Sequence, residues 1–145
     1  MKRFAVAGCL LVAALAGVAL SDEKALKELE GKYAVTHMEK AGKVAEKKET
    51  DAVKITIGGD EITIRVTDSD GEKKEHRAKL KVDATKTPRA IDILPTDGDS
   101  KGKTFPGIYK VEKGEVTMAF TEKGDRPKDF KAEGETMLIR MKKEK

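Results

Sequence analysis

Apolar and polar residues alternate in short runs along most of the chain that follows residue 31. Alternation of this kind places every second side chain on one face of a β-strand. We identify eight such runs, which predict eight short strands, each with one apolar face. Their main apolar positions are Tyr33 and Val35; Val53, Ile55 and Ile57; Ile62, Ile64 and Val66; Ala78, Leu80 and Val82; Ala90, Ile91, Ile93 and Leu94; Ile108, Tyr109 and Val111; Val116, Met118 and Phe120; Met137, Ile139 and Met141.

The segments between these runs are short or rich in turn-forming residues. Gly58-Gly59-Asp60 and Asp68-Ser69-Asp70-Gly71 predict tight turns between neighbouring strands. Residues 43–52 are highly charged, and we expect them to form a mobile loop; residues 95–103 and 122–135 are also expected to be loops. Because no long amphipathic helix separates the strands, parallel crossovers are disfavoured. The pattern predicts an all-β antiparallel fold, either an up-and-down barrel of about eight strands or a sandwich, and we favour the barrel.

Two other segments break the period of two. In residues 22–30, Ala25, Leu26 and Leu29 recur at helical spacing, which predicts a short helix that ends at Gly31. Residues 4–20 are apolar throughout and follow Lys2 and Arg3, as in a secretory signal.

The N-terminal segment therefore predicts export. Ala19 and Ser21 provide small residues at a cleavage site, so we expect a signal peptide at residues 1–21 and one domain at residues 22–145. Two alternatives stay open, an uncleaved membrane anchor and lipidation of Cys9, although the apolar run continues past that cysteine. We expect a periplasmic, secreted or envelope-associated protein that meets a membrane only through this segment if it is retained.

Composition narrows the classes of function. The chain carries 30 basic and 26 acidic residues, and without residues 1–21 it carries 28 and 26, a net charge of +2. Because positive and negative charges are nearly balanced and aromatic residues are scarce, we do not expect nucleic-acid binding. Since Cys9 is the only cysteine, residues 22–145 contain no disulfide, thiol nucleophile or thiolate metal site.

Residues for catalysis are equally scarce. Ser69 and Ser100 lie in predicted turns, and His76 lies among charged residues, as a solvated strand residue would. Two isolated histidines do not provide the three or four ligands of a zinc site. We therefore expect no metal, no cofactor and no enzymatic activity.

Asp92 leaves two interpretations open. It lies between Ile91 and Ile93, so it faces away from them, either into solvent or toward a basic residue such as Arg126 that ties a loop to the barrel. An enzyme would need titratable groups that converge inside the barrel, and the candidates are Tyr109, Asp92 and Arg126.

Several segments resemble a family of exported, uncharacterised domains best known from planctomycete bacteria and similar to small lipocalin-like barrels. The resemblance runs through Leu29-Glu30-Gly31-Lys32-Tyr33, Thr87-Pro88-Arg89-Ala90-Ile91-Asp92-Ile93, Gly102-Lys103-Thr104, Gly107-Ile108-Tyr109 and Arg126-Pro127-Lys128-Asp129-Phe130. It implies a lipocalin-like barrel and export but no known activity, and Tyr33 stands where the family usually has Trp. From these motifs the candidate ligand-binding or family-motif residues are Tyr33, Asp92, Tyr109, Arg126 and Phe130.

Together these features predict an exported, non-catalytic barrel that binds a small apolar or amphipathic ligand. The alternative is a structural or protein-interaction module of the cell envelope, with a solid barrel and no ligand. The volume left empty inside the barrel distinguishes the two: a few hundred Å³ favours a ligand, and a packed interior favours a surface role.

Overall fold

A computed structural model describes residues 22–144 and defines two short helices and nine strands in this part of the chain. The predicted signal segment, residues 1–21, lies outside the described residues. Helix α1 spans residues 22–29, and α2 spans Lys47–Asp51. The strands are β1 Gly31–Lys40, β2 Lys43–Val44, β3 Val53–Gly58, β4 Glu61–Thr67, β5 Lys73–Asp83, β6 Arg89–Pro95, β7 Phe105–Glu112, β8 Glu115–Thr121 and β9 Thr136–Lys143.

The sheet closes into a barrel. From β3 to β9 each strand pairs antiparallel with the next, β1 pairs with β3, and β9 returns to pair with β1. The two-residue β2 pairs only with the last two residues of β1. The predicted antiparallel up-and-down barrel of eight strands is confirmed, with the predicted short helix before it. Closure satisfies the hydrogen-bonding groups of both sheet edges, which an open sheet would leave exposed.

The alternating pattern divides the side chains between the interior and the outer face. The main core cluster fills much of the interior and includes Tyr33, Leu80, Ile91, Tyr109 and Met141. A second, smaller cluster of Ile108, Ala119 and Leu138 belongs to the outer face of β7, β8 and β9. The long loop of residues 122–135 covers this outer cluster through Phe130 and Ala132.

Residues 43–52, which we expected to form a mobile loop, instead contain β2 and α2. The Glu49 carboxylate accepts a hydrogen bond of 3.0 Å from the backbone N–H of Glu46 and so caps the helix N-terminus. Thr50 is buried, and its hydroxyl donates to the carbonyl of Lys47 at 3.0 Å. The high charge of this segment reflects a solvated helix face, on which Lys47 and Asp51 form an i,i+4 ion pair at 3.4 Å.

Helix α1 closes one end of the barrel, which we call the base. Its residues Ala25 and Leu29 face the barrel and are buried, and Leu29 has no exposed surface. Gly31 follows with φ +145°, and a Cβ there would lie 2.9 Å from the Lys143 side chain, so glycine suits the tight entry into β1.

Three polar contacts hold α1 and the residue that follows it at the base. The carboxylate of Asp22 accepts the N–H of Ala84 at 3.1 Å, and Glu30 accepts the N–H of Gly59 at 3.3 Å. Between them, the Arg89 guanidinium donates to Glu28 at 3.3 Å. The helix is too short to be stable alone, so these contacts and the burial of Leu29 keep it folded.

Candidate functional site

A cavity of about 380 Å³ occupies the half of the barrel interior that faces away from α1. Strands β3, β4 and β5 contribute Ile55, Ile62, Ile64 and Ala78 to its walls. Strands β6 to β9 contribute Ile93, Phe105, Met118, Phe120, Ile139 and Met141. The two phenylalanine rings stack with their centroids 6.5 Å apart and their planes within 12°. The walls are therefore apolar, as in pockets that bind small molecules.

The opposite end of the barrel, which we call the mouth, carries the polar groups of the cavity. They are contributed by the start of β5 and by the loop of residues 96–104, which follows β6. The carboxylate of Asp97 accepts the N–H of Arg77 at 3.1 Å and lies 3.8 Å from Nδ1 of His76. Thr96 donates to the carbonyl of Arg77 through its N–H at 2.9 Å and through its hydroxyl at 3.1 Å. These bonds hold the loop against β5 and define the rim of the opening.

None of the five residues singled out from the sequence lines this cavity. Tyr33 and Tyr109 are buried in the interior near α1, whereas Asp92, Arg126 and Phe130 belong to the outer face. Tyr109 therefore lies on the other side of the sheet from Asp92 and Arg126, and the three groups considered for catalysis do not converge inside the barrel.

Tyr33 supports the base of the barrel. Its hydroxyl donates a hydrogen bond of 2.7 Å to the carbonyl of Leu29, which joins β1 to the last turn of α1. Burial raises the pKa of Tyr33 to about 12, because the phenolate would lose its hydration. The hydroxyl thus acts as a neutral hydrogen-bond donor at any ordinary pH.

Removal of this hydroxyl should change how stability depends on alkaline pH. In the folded protein the raised pKa of Tyr33 favours the protonated form, so its contribution to stability is complete below about pH 10 and is lost as pH rises through about 12. We expect the melting temperature of Tyr33→Phe to fall less steeply between pH 10 and 12 than that of the wild type. Thermal melts of both proteins at pH 8, 10, 11 and 12 measure the difference, and parallel curves would contradict the assignment.

Tyr109 is the second buried phenol at the base. Its side chain is 1% exposed, and its hydroxyl has no well-formed hydrogen bond among the described residues. Burial raises the pKa of Tyr109, and the neighbouring Arg89 guanidinium opposes that shift. Arg89 and Tyr109 are paired across β6 and β7, and the Arg89 guanidinium also lies 3.3 Å from the Glu28 carboxylate of α1.

Arg126 fastens the long loop of residues 122–135 to the outside of the barrel. Its guanidinium lies 2.7 Å from Oδ1 of Asp92, as an ion pair rather than a well-aligned hydrogen bond. It also donates to the carbonyls of Ile91 at 3.1 Å and of Gly107 at 2.8 Å. We left open whether Asp92 faces solvent or pairs with Arg126, and in the structure it pairs with Arg126.

Loss of this contact should destabilise the protein moderately. Because the Arg126 and Asp92 side chains are 38% and 31% exposed, solvent screens their attraction. We expect Arg126→Ala to cost about 1–2 kcal/mol, since it also removes two charged hydrogen-bond donors, and Asp92→Asn to cost less than about 1 kcal/mol. Urea unfolding measures both, with Lys128→Ala in the same loop as the control. A loss for Arg126→Ala no larger than for the control would contradict this function of the loop contact.

The cavity walls coincide with apolar strand positions in the sequence, but their role as a site was missed. Ile55, Ile62, Met118 and Met141 were identified as apolar strand positions, and nothing in a period of two distinguishes a core residue from a cavity wall. The one local signal was Ala78, a small residue in a run otherwise formed by Leu80 and Val82.

Comparisons with family models, with curated proteins and with solved structures found no match to this chain. The resemblance to the planctomycete family and to lipocalin-like barrels therefore stays a prediction. Among residues 22–144, no three histidine, cysteine, aspartate or glutamate side chains are grouped so that they could hold a metal ion. In the same part of the chain, neither helix is long and apolar enough to cross a lipid bilayer.

Proposed function

We propose that this protein binds a small apolar or amphipathic molecule inside its barrel and does not catalyse a reaction. The observation that carries the proposal is the apolar cavity of about 380 Å³. Pockets for small molecules commonly measure about 300–1,000 Å³ and are lined mainly by hydrophobic side chains. A water molecule occupies about 30 Å³ in the liquid, and covalently bonded atoms pack more closely, so the volume suits a ligand of roughly a dozen to twenty heavy atoms.

The energetics of packing favour this proposal over a solid barrel with only a surface role. An unfilled apolar volume forfeits about 24 cal/mol for each Å³ in series of core mutations. A barrel selected only for stability would gain from larger side chains at positions such as Ala78, which is 5% exposed. The small residue retained there is expected if the space serves a ligand.

The shape of the cavity adds a second support. Leu29 and Tyr33 seal the base, so a ligand would enter from the mouth and meet the polar rim last. An apolar interior with a few polar groups at one end suits a molecule that has an apolar body.

We also propose that the barrel works outside the cytoplasm, as a lipocalin-like domain of the exported family that it resembles. The support is the sequence of residues 1–21, with its basic start, apolar run and small residues before Asp22. Mass spectrometry of the protein from its native host tests this point, because a free N-terminus at Asp22 is expected. Detection of an intact N-terminal segment, or of a lipid on Cys9, would instead indicate a membrane anchor.

Binding can be tested with a neutral fluorescent probe, N-phenyl-1-naphthylamine, whose emission rises in apolar surroundings. We expect saturable binding at one site per chain. Native mass spectrometry of protein purified gently from its own envelope should in addition show an extra mass that is lost on denaturation. Absence of both signals would favour the alternative, an envelope module that works through its surface.

A further inference from the structure

The polar groups of the cavity are all at the mouth. Some of them face the opening, and others face the outside of the barrel. Arg77 contributes its backbone N–H to Asp97, while its guanidinium pairs with Glu75 at 2.9 Å on the outer face of the sheet. His76, its neighbour in β5, is 58% exposed and lies beside Asp97. The guanidinium of Arg77 is therefore directed away from the opening.

Two carboxylates remain at the rim. Asp97 is partly buried, and Asp99, which is exposed, lies two residues further along the same loop. Lys101 and Lys103 follow in this loop, but they are exposed and do not line the cavity. A ligand whose apolar body fills the cavity would thus place its outer end beside these two carboxylates, the Ser100 hydroxyl and the His76 imidazole, which lies 3.8 Å from Asp97.

We propose that the ligand is an amphiphile with a single cationic head, such as a protonated amine, on an apolar body of roughly a dozen heavy atoms. This inference rests on the proposed function, because it specifies the ligand of the same cavity. The apolar walls bind the body by the hydrophobic effect, and the rim carboxylates attract the cation and repel an anionic head. A fatty acid is consequently a poor ligand of this barrel.

Three probes with the same chain separate the contribution of the head from that of the body. Decylammonium, 1-decanol and decanoate differ only in their polar end, and each is titrated at pH 7.5, below its micelle concentration, against bound N-phenyl-1-naphthylamine. Two partly exposed carboxylates should favour the ammonium over the carboxylate by about tenfold in dissociation constant, with the alcohol between them. The preference should shrink at high ionic strength, which screens exposed charges.

Charge-neutral variants assign the effect to the rim. Asp97→Asn combined with Asp99→Asn keeps an oxygen that can accept the N–H of Arg77, and it should abolish most of the preference while 1-decanol binds as before. Glu23→Gln removes a negative charge from the exposed face of α1 at the base and serves as a control for a charge lost far from the mouth, so it should retain the preference.

The outcomes distinguish the two proposals. Displacement of the probe by decanoate as strongly as by decylammonium, or an undiminished preference in the double variant, would overturn the cationic head and leave the binding function standing. Failure of the neutral probe and of all three decyl compounds to bind would overturn the binding function itself, and the head group with it.

Discussion

Substitution of Ala78 by phenylalanine should abolish binding of apolar molecules while the barrel remains folded. Ala78 is 5% exposed, lies in the cavity wall, and pairs with Ile62 of β4 and Pro95 of β6. A phenyl ring at this position would extend into the cavity of about 380 Å³ and remove much of the space for a ligand. We expect affinity for N-phenyl-1-naphthylamine to fall at least about tenfold, which corresponds to about 1.4 kcal/mol.

The melting temperature is the control for this prediction. Filling a cavity with apolar atoms commonly stabilises a protein, so Ala78→Phe should melt at or above the wild-type temperature. Val44→Phe adds a similar ring at an exposed position outside the cavity, where the valine is 57% exposed, and it should leave probe binding unchanged. Unchanged binding by a stable Ala78→Phe variant would show that the probe occupies another place.

Truncation of Leu29 to alanine should produce the largest loss of stability. Leu29 has no exposed surface and joins the core cluster beneath α1, where its carbonyl also accepts the Tyr33 hydroxyl. Removal of a fully buried leucine side chain costs about 2–5 kcal/mol, since both apolar transfer and packing are lost. A loss of about 3 kcal/mol should lower the melting temperature by roughly 10 °C.

Leu26 provides the matched comparison on the same helix. It is only partly buried and packs against the edge of the same cluster, so Leu26→Ala should cost about 1 kcal/mol or less. Urea unfolding of both variants measures the difference. Equal losses would contradict the packing described for α1, and no loss in either variant would mean that α1 is not part of the cooperative fold.

Gly107 illustrates a restraint that the close packing of β7 against β8 imposes on the sequence. A Cβ at this position in β7 would lie 2.7 Å from the carbonyl oxygen of Ala119 and 2.8 Å from Cβ of Phe120 in β8. Its own carbonyl accepts the Arg126 guanidinium. The strand can therefore approach β8 this closely only because no side chain is present at position 107.

The candidate site could be predicted only in part. The motifs drew attention to Tyr33, Tyr109 and Arg126. In the structure Tyr33 bonds to α1, Arg126 bonds the long loop to the barrel, and Tyr109 is buried in the core. Asp92 is 34 positions before Arg126 in the chain, so periodicity could suggest the pair but could not choose between it and a solvated aspartate. The residues around the cavity lie on seven strands, and their meeting depends on closure of the whole sheet.

The sequence by itself determined the parts of this protein that depend on neighbouring residues. A period of two indicated the eight strands of the barrel, glycine-rich turns indicated hairpins, and helical spacing indicated α1, because these patterns arise from local backbone geometry. Tertiary structure alone decided the rest. The sheet left one half of the interior empty and the other half filled by Tyr33 and Tyr109, and it covered Leu138 on the outer face with the loop that carries Phe130. Both outcomes depend on the volumes of side chains that meet from distant strands, and such volumes cannot be compared until the barrel is closed.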